Sequence, residues 1–122
     1  MRLSDAIREG CRYSTKTTRQ FFGTTPHSAC ALGAAIIGYN RRTGDEITML
    51  DLARVWPELN QETEFIMRAT CPDCGTYADL RHVITTHLND GHRWTREAIA
   101  DFIDTLSLDL TPAPVVRERV PA

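Results

Sequence analysis

A chain of 122 residues, 42% hydrophobic and 25% charged with a net charge of −2, has the composition of a globular domain. Its length excludes two large domains, a (β/α)8 barrel or a complete dinucleotide-binding domain. The charge is uneven: residues 1–44 carry seven basic side chains against two acidic ones, a net +5, and residues 45–122 carry seven against fourteen, a net −7.

In chain order, residues 3–9 read as a first helix, with Ser4 or Asp5 as cap and Gly10 as stop. Residues 12–28 are rich in Thr, Ser, Gly and Pro and read as a long irregular connection or loose hairpin, pinned to the core by Phe21 and Phe22. Residues 29–37 are the most apolar stretch and read as a central buried helix, with Ser28 as N-cap and Gly38 as stop. Their Ala and Gly residues would let other backbones approach closely. Residues 41–45 form a turn, and residues 46–56 have helical spacing closed by Pro57.

Residues 58–70 fit two readings. Residues 61–69 could continue as helix, or Phe65, Met67 and Ala69 could alternate along the inner face of a strand. The strand is preferred because a metal knuckle follows. Residues 79–89 read as a helix stopped by Asn89-Asp90-Gly91. Residues 96–106 read as the last helix, capped by Thr95, stapled by Trp94 against Ile99, and buried along Ala98, Ile99, Phe102, Ile103 and Leu106.

The expected fold is therefore α+β: a single, mainly helical domain over 1–109 with a small metal-bound β-hairpin embedded, like a ββα zinc finger. Residues 1–57 form its helical part and 63–106 its finger part with the last two helices. Residues 110–122 form a flexible, Pro-containing tail. The longest apolar run, 29–39, is far shorter than the roughly 20 residues a membrane-spanning helix needs. The first residues lack the apolar stretch of a signal peptide. The expected location is the cytoplasm, where four cysteines serve as thiols or metal ligands rather than disulfides.

The strongest chemical signal is Cys71 and Cys74, then His87 and His92, in the pattern C-x2-C-x12-H-x4-H. A two-residue gap lets a tight turn bring both thiolates to one ion, and zinc takes four nitrogen or sulfur ligands in a tetrahedron. Pro72 and Gly75 suit such a turn. Ile84, three residues before His87, matches the apolar position of a Cys2His2 finger. The usual aromatic position, four residues after Cys74, holds Ala78, with Tyr77 one place early. His82 is a rival ligand, but it lies about 140° from His87 around an α-helix. Cys11, His27 and Cys30 could form a second site but lack a fourth ligand, and Cys30 reads better as a core thiol. Asn89 can take a left-handed conformation ending the helix, and Asp90 can bond the backbone or His92; a plain solvated turn fits the pair equally.

A finger that reads DNA would use Leu80, His82, Val83 and Thr86, none of which is the Arg, Asn or Gln that usually meets a base edge. Residues 71–94 also carry Arg81 and Arg93 against Asp73, Asp79 and Asp90, whereas a phosphate-binding finger is basic. Any nucleic-acid or anionic-partner contact would instead use Arg12, Lys16, Arg19, Arg41 and Arg42. A bipolar surface whose halves attract each other is the simpler account of the same charges. The segment after 95–106 is too short and Pro-bearing for a helix-turn-helix. His87, Asn89 and His92 are too closely spaced for the nuclease they echo in letters. A metal-dependent hydrolase would need an open position on zinc, and four protein ligands leave none.

The segments Asp5-Ala6-Ile7-Arg8-Glu9-Gly10, Cys30-Ala31-Leu32-Gly33-Ala34-Ala35, Cys71-Pro72-Asp73-Cys74-Gly75 and His87-Leu88-Asn89-Asp90-Gly91-His92-Arg93-Trp94-Thr95-Arg96-Glu97, continuing through Ile99-Ala100-Asp101, resemble a group of small proteins from tailed phages, prophages and bacteria. The resemblance spans about residues 3–103, and the last segment is its most specific part. The group often has a Trp near Phe102. The resemblance implies a phage-type accessory protein with a zinc knuckle, working in the host cytoplasm, and carries no assigned activity. The functional expectation is a non-enzymatic, zinc-stabilised binding protein acting through an unidentified protein partner, with a nucleic-acid-binding regulator as the alternative.

Overall fold

In the computed structural model, the described residues are 1–15, 17, 28–62 and 66–106. They form five helices and one two-stranded antiparallel sheet, a mixed and mostly helical fold. Helix α1 is Leu3–Cys11. Leu3, Ala6, Ile7 and Gly10 recur at helical spacing and are buried together. Helix α2 is Ala31–Thr43, and it lies along α1.

Glycine sets how closely these two helices pack. A Cβ on Gly10 would overlap the carbonyl oxygen of Ala34, and one on Gly38 would overlap that of Ala6. The expectation that Gly38 stops its helix is therefore wrong: it lies inside α2, where the missing side chain admits the facing backbone. Gly10 stands next to the end of α1, which closes one residue later at Cys11, and it too admits the facing backbone. The stop of α2 is Gly44, with φ of 84°. Its cap is Cys30, whose Sγ accepts from the Gly33 amide at 3.4 Å, rather than Ser28. Arg41 and Arg42 consequently belong to the last turn of α2, not to a loop. Neither Ser4 nor Asp5 caps α1; Ser4 is buried and donates its hydroxyl to Asp104 at 2.5 Å.

The expected helix over 46–56 is shorter and broken. A 3-10 turn, Met49–Asp51, is closed by a Thr48/Asp51 capping box and runs into α3, Leu52–Val55. Pro57 opens another 3-10 turn, Pro57–Leu59. Asn40 holds this segment to α2 by exchanging two hydrogen bonds with the Ile47 backbone. Trp56 is buried, edge-on to Tyr39 at 5.5 Å, and donates its indole N–H to the Met1 carbonyl at 3.0 Å.

Strands β1, Arg68–Thr70, and β2, Tyr77–Asp79, pair with Ala69 opposite Ala78. Ala69 is buried between exposed neighbours, in keeping with the strand reading. Phe65 lies outside the described residues, as do Phe21 and Phe22. The Asp79 carboxylate then caps α4, Leu80–His82, which continues as a π-helix over Val83–Gly91. The helix ends at Gly91, the last residue of the expected Asn89-Asp90-Gly91 stop, so Asn89 and Asp90 lie in its final turn rather than beyond it.

Helix α5 is Arg96–Thr105, with the Thr95 hydroxyl accepting from the Ala98 amide at 3.0 Å as expected. Ile99 and Ile103 are fully in the core, and Ala98, Phe102 and Leu106 are half-buried. Arg8 on α1 donates to Asp101 at 2.8 Å and to Asp104 at 2.6 Å. Basic residues of the first third are thus used on the acidic body. One core cluster runs from Leu3 to Ile103 through all five helices and the hairpin. Among the described residues no helix is long and apolar enough to cross a membrane.

Candidate metal centre

The hairpin positions the first two candidate ligands. The Cys71 amide donates to the Thr76 carbonyl at 2.7 Å, and the Gly75 amide donates back to the Cys71 carbonyl at 2.9 Å. Gly75 closes the knuckle with φ of 82°, a conformation that favours glycine. Cys71 faces the core and Cys74 faces solvent.

The helix positions the other two. His87 and His92 are five residues apart, a spacing that an α-helix would scatter around its circumference. The π-helix solves this, since its hydrogen bonds run from i+5 to i. The His92 amide donates to the His87 carbonyl at 2.7 Å, and the two rings stand 5.9 Å apart. Ligand atoms of Cys71, Cys74, His87 and His92 all lie within 4.8 Å of one another, close enough to hold a metal ion. Sγ of Cys74 is 3.4 Å from Nδ1 of His87. Nε2 of His92 is buried without a hydrogen-bond partner, which is costly for an imidazole nitrogen unless it coordinates something.

The electrostatics favour a thiolate on the exposed side. The hydroxyl and amide of Thr76, then His92 and His87, hold the Cys74 thiol down at about 6. The two cysteines outside the cluster are shifted the opposite way. Burial pushes Cys30 up, and burial, partly opposed by Arg96, pushes Cys11 up to about 11. Both are therefore poor nucleophiles, and neither belongs to the cluster among the described residues. His27 lies outside those residues.

His82 is not in the cluster, but the reason expected from the sequence is incomplete. His82 is the last residue of α4, at the start of the π-helix, and its ring is only 5.2 Å from that of His87, edge to face. It stacks on a candidate ligand rather than joining the set. Leu80 and Val83 are fully buried, so two of the four positions that a finger would turn to DNA face the core. Ile84 is buried as expected, whereas Tyr77 is 67% exposed and is not the missing core aromatic.

Asn89 does not end a helix. It is buried, and its Oδ1 accepts from the Ala31 amide at 3.1 Å while its Nδ2 donates to Asp90 at 2.8 Å. It therefore satisfies a first-turn amide of α2 from a distant part of the chain. The left-handed residue is Arg93, with φ of 58°. It returns the chain so that the Trp94 amide meets the Leu88 carbonyl at 2.8 Å.

Three of the five basic candidates come together. Arg12 and Arg42 stand 3.5 and 3.8 Å from Oε1 of Glu9, and Arg41 covers the Tyr13 ring at 4.1 Å. Lys16 and Arg19 lie outside the described residues. Sequence reasoning missed two further groups. Arg96 is buried and donates to Ser14 Oγ at 3.0 Å, to the Ser14 carbonyl at 2.6 Å and to the Ala29 carbonyl at 3.2 Å, tying both flanks of the long connection to α5. Asp73, inside the knuckle, accepts the Trp94 indole N–H at 3.0 Å and lies 3.6 Å from Nδ1 of His92. Only the position of Asp73 between the two cysteines hinted at the latter.

No family model, no characterised protein and no solved structure matches the chain.

Proposed function

We propose that this protein is a non-enzymatic binding protein whose fold is stapled by one zinc ion held by Cys71, Cys74, His87 and His92, in a finger-like unit of β1, β2, α4 and the π-helix that continues it. The observation that carries this reading is the convergence of two thiols and two imidazoles, with His92 Nε2 buried and unpartnered among them. Ligands at about 2.3 Å for sulfur and 2.0 Å for nitrogen stand roughly 3.5 Å apart across a tetrahedral edge, and Cys74 and His87 are 3.4 Å apart. The donor set suits zinc, and four protein ligands make a closed, structural site. Protein contact is the proposed mode of action, supported by Leu50, 92% exposed beside Met49 on a capped turn. The sequence resemblance to phage and prophage proteins supports a phage-derived accessory role in the host cytoplasm.

The test is metal content and its consequence for folding. Purified protein is expected to hold one zinc per chain, and a chelator is expected to lower its thermal midpoint strongly. A Cys74→Ser variant that folds as stably as wild type without metal would overturn the structural role. In the cobalt-substituted protein, absorption that shifts with pH through an ionising water would point instead to an open, hydrolytic site.

A second reading draws on the convergence of Arg12, Arg41 and Arg42, a surface for an anionic partner such as nucleic acid. Binding to duplex DNA or single-stranded RNA that weakens steeply with salt and is lost when these three are replaced would favour it. No binding at low salt would exclude it.

A further inference from the structure

We propose that Asp73 is a positioning residue that fixes His92 as a ligand through its Nε2 atom, with Trp94 holding the carboxylate in place. This rests on the metal-centre reading above and adds a role for residues outside the ligand set. Three observations meet here. Oδ2 of Asp73 accepts the Trp94 indole N–H at 3.0 Å. The same oxygen faces Nδ1 of His92 at 3.6 Å. The opposite nitrogen of that ring, Nε2, is buried with no hydrogen-bond partner.

An imidazole presents one nitrogen as donor and the other as acceptor, and the partner of one nitrogen decides which is which. A carboxylate facing Nδ1 favours the tautomer with the proton there. Nε2 is then left with the free lone pair that a metal needs. Carboxylate partners of this kind orient metal-bound histidines and raise their basicity. His92 needs such help more than His87 does. His87 lies within the π-helix, whereas His92 lies just beyond its end and directly before the left-handed Arg93. Trp94 serves as a two-ended tether. Its amide bonds the Leu88 carbonyl, its ring packs on the core, and its N–H reaches across to the knuckle. The turn bearing the cysteines and the segment bearing His92 are thereby joined by a polar bridge beside the metal-binding cluster.

The experiment uses the full-length chain and zinc ions, with affinity measured by competition against a chromophoric chelator and His92 followed by 15N NMR of the imidazole. Wild type is expected to show His92 with Nδ1 protonated and Nε2 on the metal. Asp73→Ala is expected to lose ten- to a hundredfold in zinc affinity and to lose the protected Nδ1 proton signal. Asp73→Asn, whose amide oxygen still accepts, should recover part of both. Trp94→Phe, which removes only the N–H, should weaken affinity severalfold while keeping Nδ1 protonated. Unchanged affinity in Asp73→Ala, or lost affinity with an unchanged His92 signature, would overturn the positioning role. Wild-type protein that binds no zinc through the four ligands would overturn the metal-centre reading itself, and this proposal with it.

Discussion

Replacing Gly10 with alanine tests how α1 and α2 are held together. The added Cβ would stand 2.5 Å from the carbonyl carbon of Ala34 and overlap its oxygen, where ordinary contact is 3.4–4 Å. The obstacle is helix backbone, so no side chain can rotate away. The helices must part by about 1 Å or more, and a gap of that size forfeits roughly a quarter to a half of each dispersion contact across the seam. That seam includes Leu3, Ala6 and Ile7, all buried. Overpacking of this kind costs about 1–3 kcal/mol or more, and the lost contacts along a nine-residue helix add to it. Alanine gives back up to ~1 kcal/mol through helix propensity. The net expectation is a loss of about 3 kcal/mol, or roughly 12 °C in thermal midpoint for a domain of this size. Gly44→Ala is the control. No atom lies within 4 Å of its added Cβ, so only its positive φ is strained, at about 1 kcal/mol. Urea denaturation of both variants, zinc-loaded and at equal protein concentration, measures the difference. A Gly10→Ala protein as stable as wild type would refute the close-contact account of this helix pair.

The remaining predictions concern the candidate metal centre and the ties between elements. In zinc-free protein at pH 7, iodoacetamide is expected to alkylate Cys74 well before Cys11 or Cys30, because its thiol is held at about 6 while burial raises the others; zinc should abolish that selectivity, as peptide mapping would show. Asn89→Leu leaves the Ala31 amide without its acceptor, and a loss of about 1–3 kcal/mol is expected in denaturant titration. Burial disfavours the Asp104 carboxylate, but Ser4 and Arg8 overcome this and hold its pKa below the usual range. Its contribution is therefore present above the unfolded value near 4 and is lost as pH falls through the lower folded value. The urea midpoint of wild type should drop between pH 6 and pH 3 more than that of Asp104→Asn. Arg93→Gly relieves a left-handed residue and should leave stability equal or higher by up to about 1 kcal/mol, whereas Arg93→Val should lower it; thermal melts of the two decide the sign.

The cluster of Cys71, Cys74, His87 and His92 was legible because its chemistry is encoded locally. Cys71 and Cys74 belong to one turn, and a C-x2-C spacing brings two thiols together whatever surrounds it. His87 and His92 were legible as candidate ligands by type and spacing, but not in their geometry. The π-helix that aligns them depends on a five-residue hydrogen-bond pattern that hydrophobic periodicity does not reveal. The same device brings His82 against His87, which α-helical geometry would have kept apart.

The glycines show where local rules mislead. Next to an apolar helical stretch, Gly38 looks like a stop signal and is instead a point of backbone contact, and Gly10, beside the end of α1, makes the same kind of contact. A stop and a contact have the same letter, and only the facing helix distinguishes them. Asn89 behaves alike: its turn-forming tendency gave way to a hydrogen bond with Ala31, 58 residues away.

By itself, the sequence determined the helical character of α1, α2 and α5, the capping of α5 by Thr95, the strand character around Ala69 and the identity of the four candidate ligands. These depend on side-chain periodicity, cap chemistry and ligand type, all of which act over a few residues. Only the tertiary structure decided that Arg96 is buried against Ser14 and Ala29, that Arg12, Arg41 and Arg42 gather at Glu9 and Tyr13, and that Asp73 faces His92. Each of those arrangements joins segments far apart in the chain or placed by a turn of unusual geometry. A polar side chain in a sequence carries no mark of which distant partner will satisfy it once water is excluded.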